Sequence, residues 1–365
     1  MKILSDLVKI DSVSGNEAKI ALFIKNHLTA LGLDPLMQEG NVIAQIKGKN
    51  TQKALIFNAH MDTVPPGSIS LWNTPPYGEG SGQNKNNHIY GLGASDDKSG
   101  IASLLLLAKE LTVKQPKLDV WLTFVTREEI DGYGTKTFIQ WFTTKGYLKG
   151  YDDLSAIICE PTDLEEIKIG HRGNIFVKIT IHGDGGHGSK PHLIKINAIT
   201  QTYKVIKKVE ELSSLWQKEY KHAILGAPSV SITTITGGDP LSPNKFADSC
   251  SLTLDIRTTP KLHNNVLTLL KNHLKDIKPT IEFLYEPTSF GNTDPKADIV
   301  LKTHQITGAK ITINVGSNDL CFFTEANIPG IVFGPGKHVT IHKANEYCEI
   351  KKVKKSVTIY KKLVY

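Results

Sequence analysis

The sequence predicts a three-layer α/β domain with a largely parallel sheet, interrupted by a smaller, self-contained α+β domain. Three observations carry that expectation. Apolar, strand-like runs alternate with helical periodicity along the first part of the chain, the pattern of successive strand–helix units. The middle of the chain reads instead as β-α-β-β-α-β, the ferredoxin-like plan. Finally, several apolar runs lead directly into His, Asp or Glu, and open α/β sheets gather their ligands at the carboxyl ends of their strands.

In chain order, residues 16–31 repeat Ile20, Phe23, Ile24 and Leu28 at helical spacing, and Gly32 is placed to end that helix. Strands are expected at 41–46 and 53–58, the second running into His60-Met61-Asp62. The short segment Ile89-Tyr90 precedes a tight loop, Gly91 to Ser95, and then Asp96. Residues 97–113 read as a buried helix through Ile101, Leu104, Leu105 and Leu107. Buried strands at 120–125 and 154–158 lead to Glu128-Glu129 and to Glu160. A third, at 331–333, leads through a Gly-Pro-Gly loop to His342. Between these last two lie strands at 175–181, 229–236, 249–257 and 280–285, with helices at 193–212 and 262–274. The inserted domain is therefore expected at residues 173–287, leaving a discontinuous larger domain at 1–172 and 288–365.

Hydrophobic residues make up 40% of the 365 and charged residues 22%, which provides for a substantial core and argues against disorder. The formal charge of +7 is spread over scattered lysines. No basic stripe with interleaved aromatics is present, so nucleic acid is not an expected partner. Cys159, Cys250, Cys321 and Cys348 lie far apart without a CxxC spacing, the usage of a reducing compartment with free thiols. Ser5-Asp6 interrupts the first apolar residues too early for a signal peptide, and no run approaches a membrane span. A cytoplasmic protein without a membrane partner is expected.

His60, Asp96, Glu129 and Glu160 recur roughly every thirty residues, the pitch of strand–helix units, so their side chains can converge. Together with His342 they offer oxygen and imidazole donors without thiolate, a set suited to Zn²⁺, Co²⁺ or Mn²⁺. Five such ligands accommodate two metals if one carboxylate bridges, and Asp96, short and set in a tight loop, is the expected bridge. Asp62 lies two residues beyond His60 on an extended chain and is expected to hold the other ring nitrogen. Glu128 and Glu129 are adjacent, so Glu129 is expected to ligate while Glu128 acts as general base. The chain thus reads as a metal-dependent hydrolase. Ser95 and Ser99 lack the histidine arrangement of a nucleophile, and Gly91-x-Gly93 lacks the third glycine of a dinucleotide loop.

Four stretches in this order, His60-Met61-Asp62-Thr63-Val64-Pro65, Gly91 to Gly100, Arg127-Glu128-Glu129 and Glu160-Pro161-Thr162, resemble the successive signatures of one family. It is the dinuclear-zinc metallopeptidase family that includes acetylornithine deacetylase, succinyl-diaminopimelate desuccinylase, aminoacylase and glutamate carboxypeptidase. The resemblance implies a zinc-peptidase-like catalytic domain and a lid or dimerisation role for the insertion. It implies that His60, Asp96 and Glu160 bind one zinc and Asp96, Glu129 and His342 the other, with Glu128 as base and a cis peptide after Asp96. It further implies that His187, in Gly185-Gly186-His187-Gly188-Ser189, reaches the active site of a partner subunit and steadies the oxyanion there, making the unit a homodimer through the inserted domain. Asn244 and Arg257 would lie near the substrate. Arg172, at the domain junction, has the guanidinium fork that a substrate carboxylate needs. Ser317 and Asn318 fall in the loop that lines the pocket, where Asn318 departs from the family's wording. The expected activity is hydrolysis of an amide in a small, carboxylate-bearing N-acyl amino acid. Zinc exopeptidase activity is the alternative, and a non-catalytic metal-dependent binding protein the remote one.

Overall fold

Four strands of the larger unit meet water on neither face, which is why their sequences are near-continuous apolar runs rather than alternating ones. They are Leu118–Val125, Asn50–His60, Asp153–Pro161 and Gly330–Gly334, each buried over its last several residues. In the computed structural model, which describes residues 2–365, these four lie side by side and parallel. Antiparallel Asn41–Ile46 and then Leu36–Gln38 extend one side, while Glu166–Lys168 and Lys310–Thr312 extend the other, giving eight strands.

The alternation of side chains separates two covering layers. Ile56, Ala156, Ile158 and Val332 pack with Phe138 and Phe142 of helix Tyr133–Thr144 and with Leu320 and Phe323 of helix Leu320–Glu325. Phe57, pointing the other way, meets Tyr360 of helix Ile350–Val364, with ring centroids 5.0 Å apart. The Tyr360 hydroxyl donates to the Phe333 carbonyl at 2.7 Å. Helix Lys98–Val113 lies in that same layer, joined to Ile350–Val364 by a buried bond from Ser356 to Ser103 at 2.7 Å. Because the four central strands are parallel, the residues that follow each of them emerge at one edge.

The second unit is a four-stranded antiparallel sheet in the order Ser229–Gly237, Ser249–Thr258, Gly173–His182, Thr280–Phe283. Its core gathers Val177, Ile179, Leu252 and Leu254 against Val205, Val209 and Trp216 of helix Ala198–Glu219 and Leu270 of helix Val266–His273. Contacts divide the chain into residues 1–170, 291–314 and 318–365 on one hand and 171–290 with 315–317 on the other.

Differences from the sequence reading have local causes. The helix expected at 193–212 runs Ala198–Glu219. Asn197 caps it by accepting from the Ile199 and Thr200 amides, and buried Trp216 carries it past Leu212. The helix expected at 262–274 is two pieces, Pro260–His263 and Val266–His273, parted at Asn264-Asn265. The strand expected at 280–285 ends at Phe283. Helices Lys2–Val8, Tyr133–Thr144, Asp298–Thr307 and Ile350–Val364 were not anticipated. All four cysteines are free and buried, and no helix among the described residues is long and apolar enough to cross a membrane.

Leu254 is fully buried opposite both Val177 and Ile232, so Leu254→Ala is expected to destabilise the protein by about 2–5 kcal/mol. Urea unfolding followed by circular dichroism measures this; an unchanged midpoint would show that this sheet face does not contribute a core.

Candidate metal centre

Each side chain of the cluster enters from the end of a strand or from the chain that follows one. His60 is the last residue of its strand and Glu160 the penultimate one of the next. Glu128 and Glu129 follow Val125 through a turn in which Arg127 takes a left-handed conformation, φ 58°. His342 follows Gly334 in a loop and is itself left-handed, φ 57°, a conformation that non-glycine residues adopt where a turn must re-aim a side chain. Asp96 sits between its glycine-rich loop and helix Lys98–Val113, and the Asp96–Asp97 peptide is cis. Gly93, at φ +75°, is required in that loop, since a Cβ there would lie 2.7 Å from Thr63.

The result is a tight constellation within the larger unit. His60 Nε2 lies 2.9 Å from Asp96 Oδ1, and His342 Nε2 lies 3.6 Å from Asp96 Oδ2 and 3.0 Å from Glu129 Oε1. Asp96 thus turns one oxygen toward each histidine, as a bridging carboxylate would. Ligand atoms of His60, Glu128 and Glu160 fall within 4.8 Å of one another, and so do those of His60, Asp96 and Glu129. The six expected residues converge, with Glu128 as near to His60 and Glu160 as a ligand would be.

Asp62 does something the spacing did not reveal. The His60 Nδ1 partner is the main-chain carbonyl of Asp62 at 3.0 Å, while the carboxylate stands at 3.4 Å. That carboxylate is fully buried and accepts from the Glu128 amide at 3.0 Å, the Glu129 amide at 3.1 Å and the Ser14 hydroxyl at 2.6 Å. It therefore holds the turn that presents both glutamates, as well as lying beside the histidine. Three more residues, to which the sequence assigns no role of their own, brace the site. Asn41 joins the Thr126 amide to the Gly134 carbonyl. Asp319 accepts from Thr135, which in turn accepts from Asn58. Glu346, 1% exposed, accepts three amides from the Asp96 loop. Their partners lie far off in the chain, so no local pattern marks them.

Crowded acids raise one another's proton affinity. Burial and then Asp96 push the Glu160 carboxyl up to about 8, and burial with Glu160 pushes Glu128 well above the usual range. Burial pushes Asp319 up to about 7. Burial would lower the His60 imidazole, but Asp62 and Asp96 outweigh it and hold it well above its ordinary value. His342 is raised to about 9, chiefly by its bond to Glu129. A site so rich in carboxylates favours cations. Its donors fit divalent metals of the zinc type, and Glu160 Oε1, buried with no hydrogen-bond partner, has the orphaned oxygen that a cation would satisfy.

In the second unit His187 and Asn244 are neighbours, the Asn244 amide nitrogen 3.5 Å from His187 Nε2. The Ser189 amide and hydroxyl both address His187 Nδ1, at 3.2 and 2.8 Å. A main-chain N–H can only donate, so Nδ1 accepts and a neutral ring carries its proton on Nε2. Arg257 is engaged by Asp255, with Nε 2.9 Å from Oδ1 and Nη2 3.1 Å from Oδ2. Arg172 spends Nη1 on the Ala227 carbonyl at 2.9 Å. Ser317 groups with this unit, whereas Asn318 groups with the larger one, where its Oδ1 accepts from the Leu320 amide.

A family model described as peptidase family M20/M25/M40 matches residues 56–365. Succinyl-diaminopimelate desuccinylase of Blochmanniella floridana is 27% identical, over 99% of this chain and 97% of its own. Acetylornithine deacetylase of Buchnera aphidicola subsp. Schizaphis graminum is 28% identical, over 100% and 97%. Among solved structures, a tripeptidase from Staphylococcus aureus superposes with a TM-score of 0.77 at 21% identity, covering 100% of this chain and 96% of that one.

A divalent metal entering this centre would have to displace protons from raised groups such as His342 and Glu160. Zinc binding to metal-stripped protein at pH 7 is therefore expected to release protons, and affinity to strengthen as pH rises toward 9. Calorimetry in buffers of differing ionisation enthalpy reads this directly; a binding heat independent of buffer would show the ligands already deprotonated.

Proposed function

Because the chain belongs to peptidase family M20/M25/M40, we propose that it is a dinuclear zinc amidohydrolase that cleaves the amide of an N-acyl amino acid of the acetylornithine or succinyl-diaminopimelate type. That it is a metal-dependent hydrolase of C–N amide bonds follows from the family and from its desuccinylase and deacetylase relatives. The observation that carries the finer reading is the convergence of His60, Asp96, Glu128, Glu129, Glu160 and His342, with Asp96 facing both histidines.

In this reading His60, Asp96 and Glu160 would hold one zinc and Asp96, Glu129 and His342 the other. Bound there, the metals would polarise the amide carbonyl and ease deprotonation of the attacking water. Glu128 takes the proton from that water and later delivers it to the departing amine, standing beside His60 and Glu160 where that water would lie. Asp62 keeps Glu128 and Glu129 in register through their amides. His187, with its proton on Nε2, donates to the oxyanion of the tetrahedral intermediate. Arg172, Asn244, Arg257, Ser317 and Asn318 are proposed to line the substrate pocket. Of the two arginines, Arg172 is the better fork for the substrate carboxylate, since Asp255 already occupies Arg257.

A second reading, a zinc exopeptidase, draws on the tripeptidase likeness. A non-catalytic protein is disfavoured, because both the base and all five ligands are present.

His187 is proposed to act in the site of a second copy, making the active form a cytoplasmic homodimer through the inserted unit. Support comes from strand Ser229–Gly237, which ends its sheet and leaves Ile235 58% exposed, and from Leu241, 93% exposed.

Amine release from N-acetylornithine, N-succinyl-diaminopimelate, N-acetylmethionine, dipeptides and a tripeptide separates the two readings. Glu128→Gln is expected to lower kcat about 10²- to 10⁴-fold on the preferred substrate. Preference for peptides would establish the exopeptidase, and undiminished turnover in the variant would remove Glu128 from the mechanism. A dimer is expected by light scattering, and inactive Glu128→Gln and His187→Ala chains are expected to regain activity when refolded together; a monomer, or no recovery on mixing, overturns the shared site.

A further inference from the structure

We propose that Glu346 is the positioning residue of the centre, its carboxylate fixing the main chain that presents Asp96 in register with His342. The inference rests on the two-metal reading and deepens it. Glu346 Oε1 accepts from the Ser95 amide at 2.7 Å and the Asp96 amide at 2.9 Å, and Oε2 accepts from the Gly93 amide at 2.9 Å. Its own carbonyl accepts from the Gly91 amide at 3.0 Å. One residue thus captures four amides of the Gly91–Asp96 stretch. With Gly93 left-handed, those N–H groups turn into a concavity of the kind that binds anions elsewhere, and here it is filled by the chain's own side chain.

The geometry connects two parts of the site that the central eight-stranded sheet does not connect. Asp96 follows a short strand, His88–Tyr90, outside the central sheet, and His342 lies in a loop. Glu346 belongs to the same segment as His342, four residues on. The Ser95 hydroxyl adds a second tie, donating to the Tyr347 carbonyl and accepting from the Lys337 amide. Strand His88–Tyr90 pairs with Tyr347–Glu349, and the bond from the Gly91 amide to the Glu346 carbonyl continues that ladder; beyond its end the Glu346 carboxylate carries the hold on to Ser95 and Asp96, which stands 3.6 Å from His342.

The requirement is for a carboxylate. Only acceptors can face three converging donors, and an amide in its place would turn its own N–H₂ toward one of them. Glu346→Gln would break the Gly93 bond, leave a buried N–H₂ facing that donor, and take the charge away from the oxygen that the Ser95 and Asp96 amides address.

The test compares wild type with Glu346→Gln after metal stripping. Zinc affinity is read by chelator competition, and ligand geometry by the visible spectrum of the Co²⁺-loaded protein. Thermal melting of both metal-free proteins establishes that they are folded. A folded Glu346→Gln is expected to bind zinc about 10- to 100-fold more weakly, as loss of groups supporting metal ligands generally does, and to show an altered cobalt spectrum. Unchanged affinity and spectrum in the folded variant would overturn the proposal. Failure of wild type itself to bind metal would instead overturn the two-metal reading. Should the variant not fold, hydrogen exchange on metal-free wild type decides. Protected Gly93, Ser95 and Asp96 amides support the proposal, and exchange at the rate of an open loop defeats it.

Discussion

Mutual repulsion among carboxylates is the constraint around which this site is built. Ligand atoms of Glu128 and Glu160 lie within 4.8 Å of one another, as do those of Asp96 and Glu129, both pairs beside His60. Two like charges about 4 Å apart cost on the order of 4 kcal/mol at an effective dielectric of about 20, a large part of the roughly 5–15 kcal/mol that holds a domain folded. The raised proton affinities of Glu128 and Glu160 reflect burial first and then that repulsion. A scaffold that keeps such groups in place must be stiff, and its balance must come from cations or protons.

The stiffness comes from two levels. Parallel strands buried on both faces set where His60, Glu128-Glu129 and Glu160 leave the sheet. Beyond the strand ends the chain is loop, and there two further buried acids take over. Asp62 receives the amides of the glutamate turn and Glu346 those of the aspartate loop. Each acid is satisfied by main-chain donors and so supports the site without being a ligand. The same residue type thus keeps an oxygen open to a cation where it lacks N–H partners, as with Glu160, and acts as a brace where it has several.

Legibility in the sequence follows the range of each interaction. The central strands were visible because burial on both faces writes an unbroken apolar run, and the ligand-grade residues because acids seldom follow such runs directly. The ferredoxin-like order was visible from alternation in 175–181 and 249–257, which the burial pattern of Gly173–His182 and Ser249–Thr258 repeats. Helix Tyr133–Thr144 was missed since it begins behind the acidic turn at a left-handed Gly132 and has no side-chain cap. Asp62 was expected beside His60, but its hold on the glutamate turn, and Glu346 altogether, were missed for a different reason. Ser14 meets Asp62 across 48 residues, Glu128 meets Asp62 across 66, and Asp96 meets Glu346 across 250. No periodicity or spacing rule spans such separations.

The strand order also dictates a timetable for synthesis. Gly330–Gly334 lies between Asp153–Pro161 and Glu166–Lys168, so the sheet's interior stays open until the ribosome has made nearly the whole chain. Until then Asp153–Pro161 offers an unpaired apolar edge, the kind of surface that invites wrong partners. The inserted unit, continuous over most of its length, is free to fold meanwhile. Nascent chains halted before residue 330 would therefore be the aggregation-prone species, and chaperone dependence would centre on the wait for that one late strand.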